Sequence, residues 1–365
     1  MKKQNTESNT GSSKRLVSLD VLRGITVAGM ILVNDGYGDT FVTLQHSKWN
    51  GMTPCDLVFP FFLFIMGIST YISLRKYQFQ ATAQVIRKIF RRTVVIFAIG
   101  LLINWFALLL KEGFSLEHLR IMGVMQRIAL CYCAASFFAI FVNHRYTLPV
   151  VFAILIAYTL VLALGNGYAQ DASNIAARID NAILGYDHLY HKSAVDPEGL
   201  LGTLPAIAHT LIGFFCGKLM METKDKLGKV TMFLLVGGIL IIAGYLLQYG
   251  MPLNKRIWSP SYVLMTCGLC ATMQGILMWI IDIQGRRGWT MPFLVFGMNP
   301  LFLYVLSELM AIAFGNCGVN DWIYGVIHSV VSNTYLASLC YALTYVLTCG
   351  LVGYPLYRKK IYIKI

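Results

Sequence analysis

Residues 34–67, NDGYGDTFVTLQHSKWNGMTPCDLVFPFFLFIMG, join the end of one apolar segment to the start of another through a short polar loop. The rest of the chain consists mainly of long apolar runs separated by groups of basic residues. We therefore expect a reactive site in this loop, where side chains able to move protons or donate hydrogen bonds are concentrated. Its polar candidates are Asn34, Asp35, Asp39, His46, Trp49, Asn50 and Asp56.

The composition predicts an all-α fold, a polytopic integral membrane helical bundle. The 365 residues are 57% hydrophobic and only 13% charged, whereas a soluble domain has about 25% charged residues. The net charge of +13 could indicate a nucleic-acid partner. Because the Lys and Arg residues lie beside apolar segments, membrane topology and contact with anionic lipid explain them better, and we expect no nucleic acid.

Apolar runs long enough to cross a bilayer, about 20 residues each, occur ten times. Most of the 30 Lys and Arg fall in alternate connections, which predicts both termini in the cytoplasm and insertion in the plasma (inner) membrane. Gly297 and the pair Asn299-Pro300 predict that the ninth span is broken or kinked. The predicted spans are 16–34, 57–74, 90–110, 122–142, 148–165, 200–221, 230–250, 259–282, 291–314 and 335–357.

These spans divide the chain into three parts. We expect a disordered cytoplasmic N-terminus at 1–15, a membrane domain at 16–357 and a basic cytoplasmic tail at 358–365. The longest connection within the domain, 166–199, is expected to be an extracytoplasmic loop.

Two arginines lie within predicted spans and have alternative explanations. Asp20 and Arg23 are three residues apart and so share one face of a helix. They either pin two helices together, or Arg23 helps to hold an anionic ligand entering from the cytoplasm. Arg127 either pairs with an acid such as Glu308 or contacts a phosphate-bearing ligand, to which a guanidinium is well suited.

The motif Thr53-Pro54-Cys55-Asp56 has the form of a helix start, with a capping residue, a proline in the first turn and a carboxylate three residues after the cap. Capping alone would explain Asp56, and a functional role is equally open. His46 is either a solvated loop histidine or a functional one that Asn34, Asn50 and Asp56 orient. An imidazole ordinarily titrates near neutral pH, which suits a general base, and it can also act as a nucleophile.

The cysteines and histidines do not indicate a metal site. Cys267 and Cys270 have CxxC spacing but lie in an apolar segment without partner ligands, so buried packing residues are expected. The spacing of the seven histidines matches no zinc pattern. We expect no metal.

Several motifs resemble a known family. LDVLRG (19–24), VNDGYG (33–38), QHSKWNG (45–51) and DLVFPFFLFIMG (56–67) occur in this order. They are similar to the membrane region of heparan-alpha-glucosaminide N-acetyltransferase and its bacterial relatives, a family of transmembrane acyltransferases, and the resemblance extends over 16–357. Further matches are GVMQR (123–127), PEGLLGT (197–203), WSPSY (258–262) and, more weakly, GMNP (297–300).

The resemblance implies an acetyltransferase that moves an acetyl group from cytoplasmic acetyl-CoA to a glucosamine-like amino sugar or glycan on the extracytoplasmic side. His46 is then the catalytic base or the acetyl carrier, Asn34 belongs to the same site, and Asp56 tunes the imidazole from below. The resemblance also implies a homodimer. For binding of the donor it points to Arg23, Trp49, Asn50, Arg127, Trp258 and Asn299.

Departures from the family pattern make the acceptor uncertain. Lys48 replaces a small residue and Asp35 stands where an aromatic residue is common. We expect a bacterial-type member without the N-terminal luminal domain of the lysosomal enzyme. The alternative function is a multi-pass transporter of N-acetylated sugars, which a broken ninth helix would suit.

Overall fold

The computed structural model describes residues 16–190 and 193–363, and within them all regular structure is helical. The predicted N-terminal segment 1–15 and the end of the predicted tail lie outside the described residues. The helices are α1 Val17–Asn34, α2 Val58–Arg75, α3 Ala83–Glu112, α4 Val124–Phe141, α5 Thr147–Leu164, α6 Ile175–Leu184, α7 Leu200–Glu222, α8 Lys226–Leu247, α9 Pro260–Leu277, α10 Met291–Met298, α11 Pro300–Asn316, α12 Val319–Val330 and α13 Thr334–Arg358.

The predicted set of membrane spans is confirmed by helix length and composition. Across the described ranges, 9 helices are long and apolar enough to cross a membrane, and α10 with α11 forms a further candidate bent by 86°. The bend falls between Met298 and Pro300, because Pro300 lacks the N–H that a continuous helix would need and Asn299 has an extended φ of −129°. The broken ninth span is thus confirmed as well.

Two short helices do not appear in the prediction. The connection 166–199 contains α6, whose first turn is capped by the Asn174 side chain accepting from Ala176 N at 2.9 Å. The other, α12, lies between the last two spans. Both are amphipathic and shorter than a membrane crossing, so a search for apolar runs of spanning length passes over them.

The centre of the bundle is α7, where 78% of the most apolar stretch is buried, against 22% for α8. Glycines let α2 approach α7 backbone to backbone. A Cβ at Gly67 would lie 2.1 Å from Thr210 O, and one at Gly213 would lie 2.2 Å from Phe64 O. Small residues at such contacts are typical of packed membrane helices. The middle of α2, the helix that follows the predicted site, is therefore packed directly against the central helix.

Helices α1 and α2 run antiparallel, so the bundle has two distinct ends. Asn34 at the end of α1 and Asp56 before α2 lie at one end, here called the His46 end. Arg23, near the start of α1, donates from Nη2 to Ser69 Oγ in the second half of α2 at 2.9 Å. That second end is called the Arg23 end.

Candidate active site

A capped turn positions the carboxylate of Asp56. Residues Pro54–Leu57 form a 3₁₀ turn that leads into α2, and Thr53 and Asp56 complete a reciprocal capping box. Asp56 Oδ2 accepts hydrogen bonds from Thr53 N and Ser47 N, each at 3.1 Å. These bonds use one carboxylate oxygen and leave Oδ1 turned toward the preceding loop. Asp56 therefore has the capping role and is still able to act on a neighbour.

That neighbour is His46. The distance from His46 Nδ1 to Asp56 Oδ1 is 2.8 Å. Because an ionised carboxylate can only accept, Nδ1 carries a proton, and in the neutral imidazole Nε2 then keeps its lone pair. The Asp56 side chain is fully buried, whereas the His46 side chain is 48% exposed. A buried carboxylate that fixes the tautomer of an accessible imidazole is the arrangement of an oriented general base or nucleophile.

Lys255 completes this group, and the sequence did not single it out. Its Nζ lies 3.0 Å from His46 Nδ1, 3.4 Å from His46 Nε2 and 3.4 Å from Asp56 Oδ1. The only local signal was its position three residues before the WSPSY motif. Cys55 also contacts the imidazole, with Sγ 3.0 Å from Nδ1, and is 1% exposed. The site thus places a cation beside the two ring nitrogens.

Asn50 and Trp49 hold the loop rather than face an open site. Asn254 Nδ2 donates to Asn50 Oδ1 at 3.1 Å, and Gly51 N donates to Leu253 O at 2.8 Å. These bonds bring the segment that carries Lys255 against the His46 loop. The Trp49 indole donates to Tyr168 O at 2.9 Å and packs in the buried cluster between the loop and α5, α6 and α7. In this structure both side chains act as tethers.

Asn34 lies at the same end but makes a different contact from the one expected. Its Nδ2 donates to Glu308 Oε1 at 3.3 Å, and no hydrogen bond joins it to His46 in the described part of the chain. The side chain is exposed. Asn34 and Glu308 therefore form a second polar group near the loop.

Arg127 and Trp258 are both fully buried. The Arg127 guanidinium donates from Nη2 to Gly199 O at 2.9 Å and lies 5.1 Å from the centre of the Trp258 ring. Glu308, the acid considered as its partner, accepts from Asn34 instead. Arg127 Nε and Nη1 have no hydrogen-bond partner among the described residues. Trp258 packs on Tyr262, whose hydroxyl donates to Asp56 O at 2.5 Å, so this buried group supports the turn below His46.

The connection between α5 and α7 is fixed by a compact ion cluster. Arg120 Nη2 lies 2.7 Å from Asp196 Oδ1 and 2.7 Å from Glu198 Oε2. Burial alone would raise the pKa of Glu198, but the charges of Arg120, Arg127 and Lys255, together with the Arg120 hydrogen bond, outweigh it and hold that pKa below its usual range. Asp180 is fully buried and accepts from Leu200 N at 2.9 Å. Burial raises the pKa of Asp180 to about 6.

The Arg23 end contains a basic cavity of about 1070 Å³. Arg23 is held there by Asp20 Oδ1 at 3.0 Å and by Ser69, which confirms that Asp20 and Arg23 share a helix face. Six basic and two acidic side chains line the cavity, so it favours anions. The charged lining residues are Arg23, Lys76, Lys224, Lys226, Lys229, Arg287, Asp20 and Asp282.

Asn299 does not line this cavity. Its side chain donates to Ile361 O at 2.9 Å and accepts from Ile363 N at 2.8 Å. It joins the break between α10 and α11 to the segment that follows α13. Of the predicted site residues, Asp56, Trp49 and Asn50 therefore lie around His46 or hold its loop, and Arg127 and Trp258 form a buried pair. Asn34 contacts Glu308, Arg23 lines the basic cavity, and Asn299 lies outside that cavity.

Comparison with known proteins identifies the family. A family model described as heparan-alpha-glucosaminide N-acetyltransferase, catalytic, matches residues 15–249. Heparan-alpha-glucosaminide N-acetyltransferase from Homo sapiens is 29% identical over 96% of this chain, and the Mus musculus protein is 29% identical over 98%. The chain covers 60% and 62% of the lengths of these relatives. The chain belongs to the heparan-alpha-glucosaminide N-acetyltransferase catalytic family.

Proposed function

We propose that this protein is a transmembrane acetyltransferase that uses acetyl-CoA to acetylate the amine of a glucosamine-like sugar or glycan. The observation that carries the proposal is the His46–Asp56 pair, at 2.8 Å, with an accessible imidazole and Lys255 beside it. The family match and the names of the two relatives support acetyl transfer to a glucosaminide.

The basic cavity at the Arg23 end is the proposed binding site for the phosphates of acetyl-CoA. Guanidinium and ammonium groups bind phosphate oxygens through charge-assisted hydrogen bonds. Ser69, on the cavity wall, follows Asp56 along one turn and helix, and a rise of 1.5 Å per residue separates them by ~20 Å. The flexible pantetheine arm of the donor would cross this distance and present its thioester to His46.

We propose that Arg127 and Trp258 lie on this route, because Trp258 packs on Tyr262, whose hydroxyl donates to Asp56 O. The unpartnered Nε and Nη1 of Arg127 can donate to the amide oxygens of the pantetheine arm. A buried guanidinium with two unpartnered nitrogens is costly, so a ligand that supplies acceptors would be favoured. Asn299, Trp49 and Asn50 contribute by holding the chain segments together rather than by touching the donor.

His46 would act as general base through Nε2. The sugar amine attacks the thioester carbonyl carbon, the carbon–sulfur bond breaks, and the proton of the amine passes through Nε2 to the CoA thiolate. The products are the N-acetyl sugar and free CoA. The Lys255 ammonium, 3.4 Å from Nε2, would stabilise the negative charge that develops on the carbonyl oxygen. In the alternative route, Nε2 attacks first and carries the acetyl group.

We further propose the orientation that the basic residues indicate, with the Arg23 end and both termini in the cytoplasm. Acetyl-CoA would then enter from the cytoplasm, and acceptors would be acetylated on the extracytoplasmic side of the plasma membrane. A cavity with six basic lining residues on the cytoplasmic side agrees with this orientation.

The test is acetyl transfer by the full chain in lipid nanodiscs, with radiolabelled acetyl-CoA and glucosamine as substrates and mass spectrometry of the products. His46→Ala is expected to abolish transfer and to keep CoA binding at the other end of the bundle. Near-normal turnover of His46→Ala would overturn the role of His46. Label retained on the protein without acceptor, and lost in His46→Ala, would identify the covalent route.

The same preparation in proteoliposomes separates transferase from transporter. Accumulation of unmodified sugar in the absence of any acyl donor, together with no acetylated product in its presence, would replace the proposed function by transport.

A further inference from the structure

Two carboxyl side chains meet at the His46 end, where α1 approaches α11, and the proposed mechanism does not use them. Asp35, directly after α1, is only 8% exposed, and its Oδ2 has no hydrogen-bond partner in the described part of the chain. Glu308, on α11, accepts from Asn34 Nδ2 at 3.3 Å and from the Tyr304 hydroxyl. The charge of Glu308 acts on the Asp35 carboxyl, so the two side chains lie near each other.

This pair lacks a counter-ion. Within residues 16–190 and 193–363, no lysine, arginine or histidine forms an ion pair with Asp35 or Glu308. Burial, followed by the charge of Glu308, raises the pKa of Asp35 to about 8. A buried carboxylate without a compensating charge is costly. A cation that entered the site would remove this cost by replacing a proton.

A cluster of tyrosine rings lies near Asp35, whose charge acts on Tyr341 and Tyr345. The ring centre of Tyr37 lies 5.2 Å from that of Tyr324 and 5.4 Å from that of Tyr341, and Tyr341 lies 5.3 Å from Tyr345. Tyrosine faces attract cations. Nearby, Gly36 lies against Ser338, a buried residue whose hydroxyl also has no partner among the described residues. The site therefore has negative charge, aromatic faces and unused hydrogen-bonding atoms.

We propose that Asp35 and Glu308 form a subsite for the protonated primary amine of an amino-sugar acceptor, with the exposed Asn34 at its entrance. The inference rests on the proposed acetyl transfer, because that reaction defines the acceptor. Asn34 joins this subsite to the catalytic loop through the chain segment that runs to His46. Acetylation removes the positive charge, so the product loses the attraction that held the substrate and leaves more readily.

The test measures binding without any acetyl donor. Isothermal titration calorimetry of the full chain in nanodiscs, at neutral pH, compares D-glucosamine hydrochloride with N-acetylglucosamine. The wild type is expected to bind glucosamine more tightly. Asp35→Asn and Glu308→Gln are each expected to weaken glucosamine binding about 10- to 100-fold, the range for a lost hydrogen bond to a charged group, and to leave N-acetylglucosamine binding unchanged. Asp39→Asn, an exposed carboxyl in the same loop, is the matched control and is expected to behave as wild type.

Steady-state kinetics give a second readout that a merely structural role would not produce. The KM for glucosamine is expected to rise in Asp35→Asn and Glu308→Gln, whereas the KM for acetyl-CoA stays constant. Equal wild-type affinity for the two sugars, or glucosamine affinity within twofold of wild type in either variant, would overturn the subsite. Tight glucosamine binding without acetyl transfer by the wild type would instead refute the proposed function and leave the subsite standing.

Discussion

Replacing Asp56 with asparagine tests how the imidazole of His46, the proposed general base, is controlled. Asp56 Oδ2 accepts from two backbone N–H groups, and Oδ1 accepts from His46 Nδ1. An asparagine has one oxygen, and two backbone donors will retain it. Its NH₂ group then faces His46 Nδ1, which must become an acceptor, so the proton moves to Nε2. In this tautomer Nε2 can no longer remove a proton from the amine.

The expected loss of kcat in Asp56→Asn is about 10²- to 10⁴-fold, the upper figure being the loss that the same substitution causes beside the histidine of a serine protease. The loss of one charge-assisted hydrogen bond also lowers the free energy of unfolding by about 1.5–3 kcal/mol. Initial rates of radiolabelled acetyl transfer between pH 6 and 9 measure the first effect, and thermal unfolding measures the second. Asp39→Asn is the matched control. A folded Asp56→Asn protein that keeps more than a tenth of the wild-type kcat at its optimum pH would refute the tautomer argument.

Three further predictions follow from other contacts. Lys255→Met removes the ammonium 3.4 Å from His46 Nε2. It is expected to lower kcat about 10- to 1000-fold, the scale for losing a group that stabilises an oxyanion, and to leave the KM for acetyl-CoA unchanged. An unchanged kcat would exclude that role for Lys255. In Gly213→Val, the new Cβ would lie 2.2 Å from Phe64 O, so α2 must separate from α7. Thermal unfolding should show that the free energy of unfolding falls by several kcal/mol. Gly238→Val, in open space on α8, is the control. Burial, with Asp196 adding to it and Arg127 and backbone N–H groups opposing it, raises the pKa of Asp180 from an ordinary 3.8 to about 6. The folded state therefore holds a proton that the unfolded state has lost, and stability falls by about 2–3 kcal/mol as pH rises from about 4 through 6; unfolding midpoints should show this slope in the wild type and not in Asp180→Asn.

Much of the fold could be predicted because its determinants are local. A run of about 20 apolar residues is enough to identify a span, and the pair Asn299-Pro300 is enough to locate the break. The turn before α2 could also be predicted from the sequence, since Thr53, Pro54 and Asp56 form the capping pattern within four consecutive residues.

The contacts of the site were not predictable in the same way, because they join distant positions. Lys255 lies 209 residues from His46 in the sequence, and a lysine in a short polar connection carries no sign of its partner. Glu308 lies 274 residues from Asn34, and it was considered as a partner of Arg127 only because both are charged and lie in spans. From their position in the motif, Trp49 and Asn50 were expected to bind the donor. In the structure they instead bond to Tyr168 and Asn254 and hold the loop in place.

The tethers of the His46 loop also constrain how the protein is made. Trp49 is anchored to Tyr168, and Asn50 to Asn254, yet the ribosome delivers the loop to the membrane long before either anchor exists. Early in synthesis, His46 is therefore present without Lys255 and without the later chain segments that contact its loop. Only when the segment after α8 has emerged can the loop close into its final form. A chain that ends before the segment after α8 is expected to insert in the membrane and to lack acetyl-transfer activity.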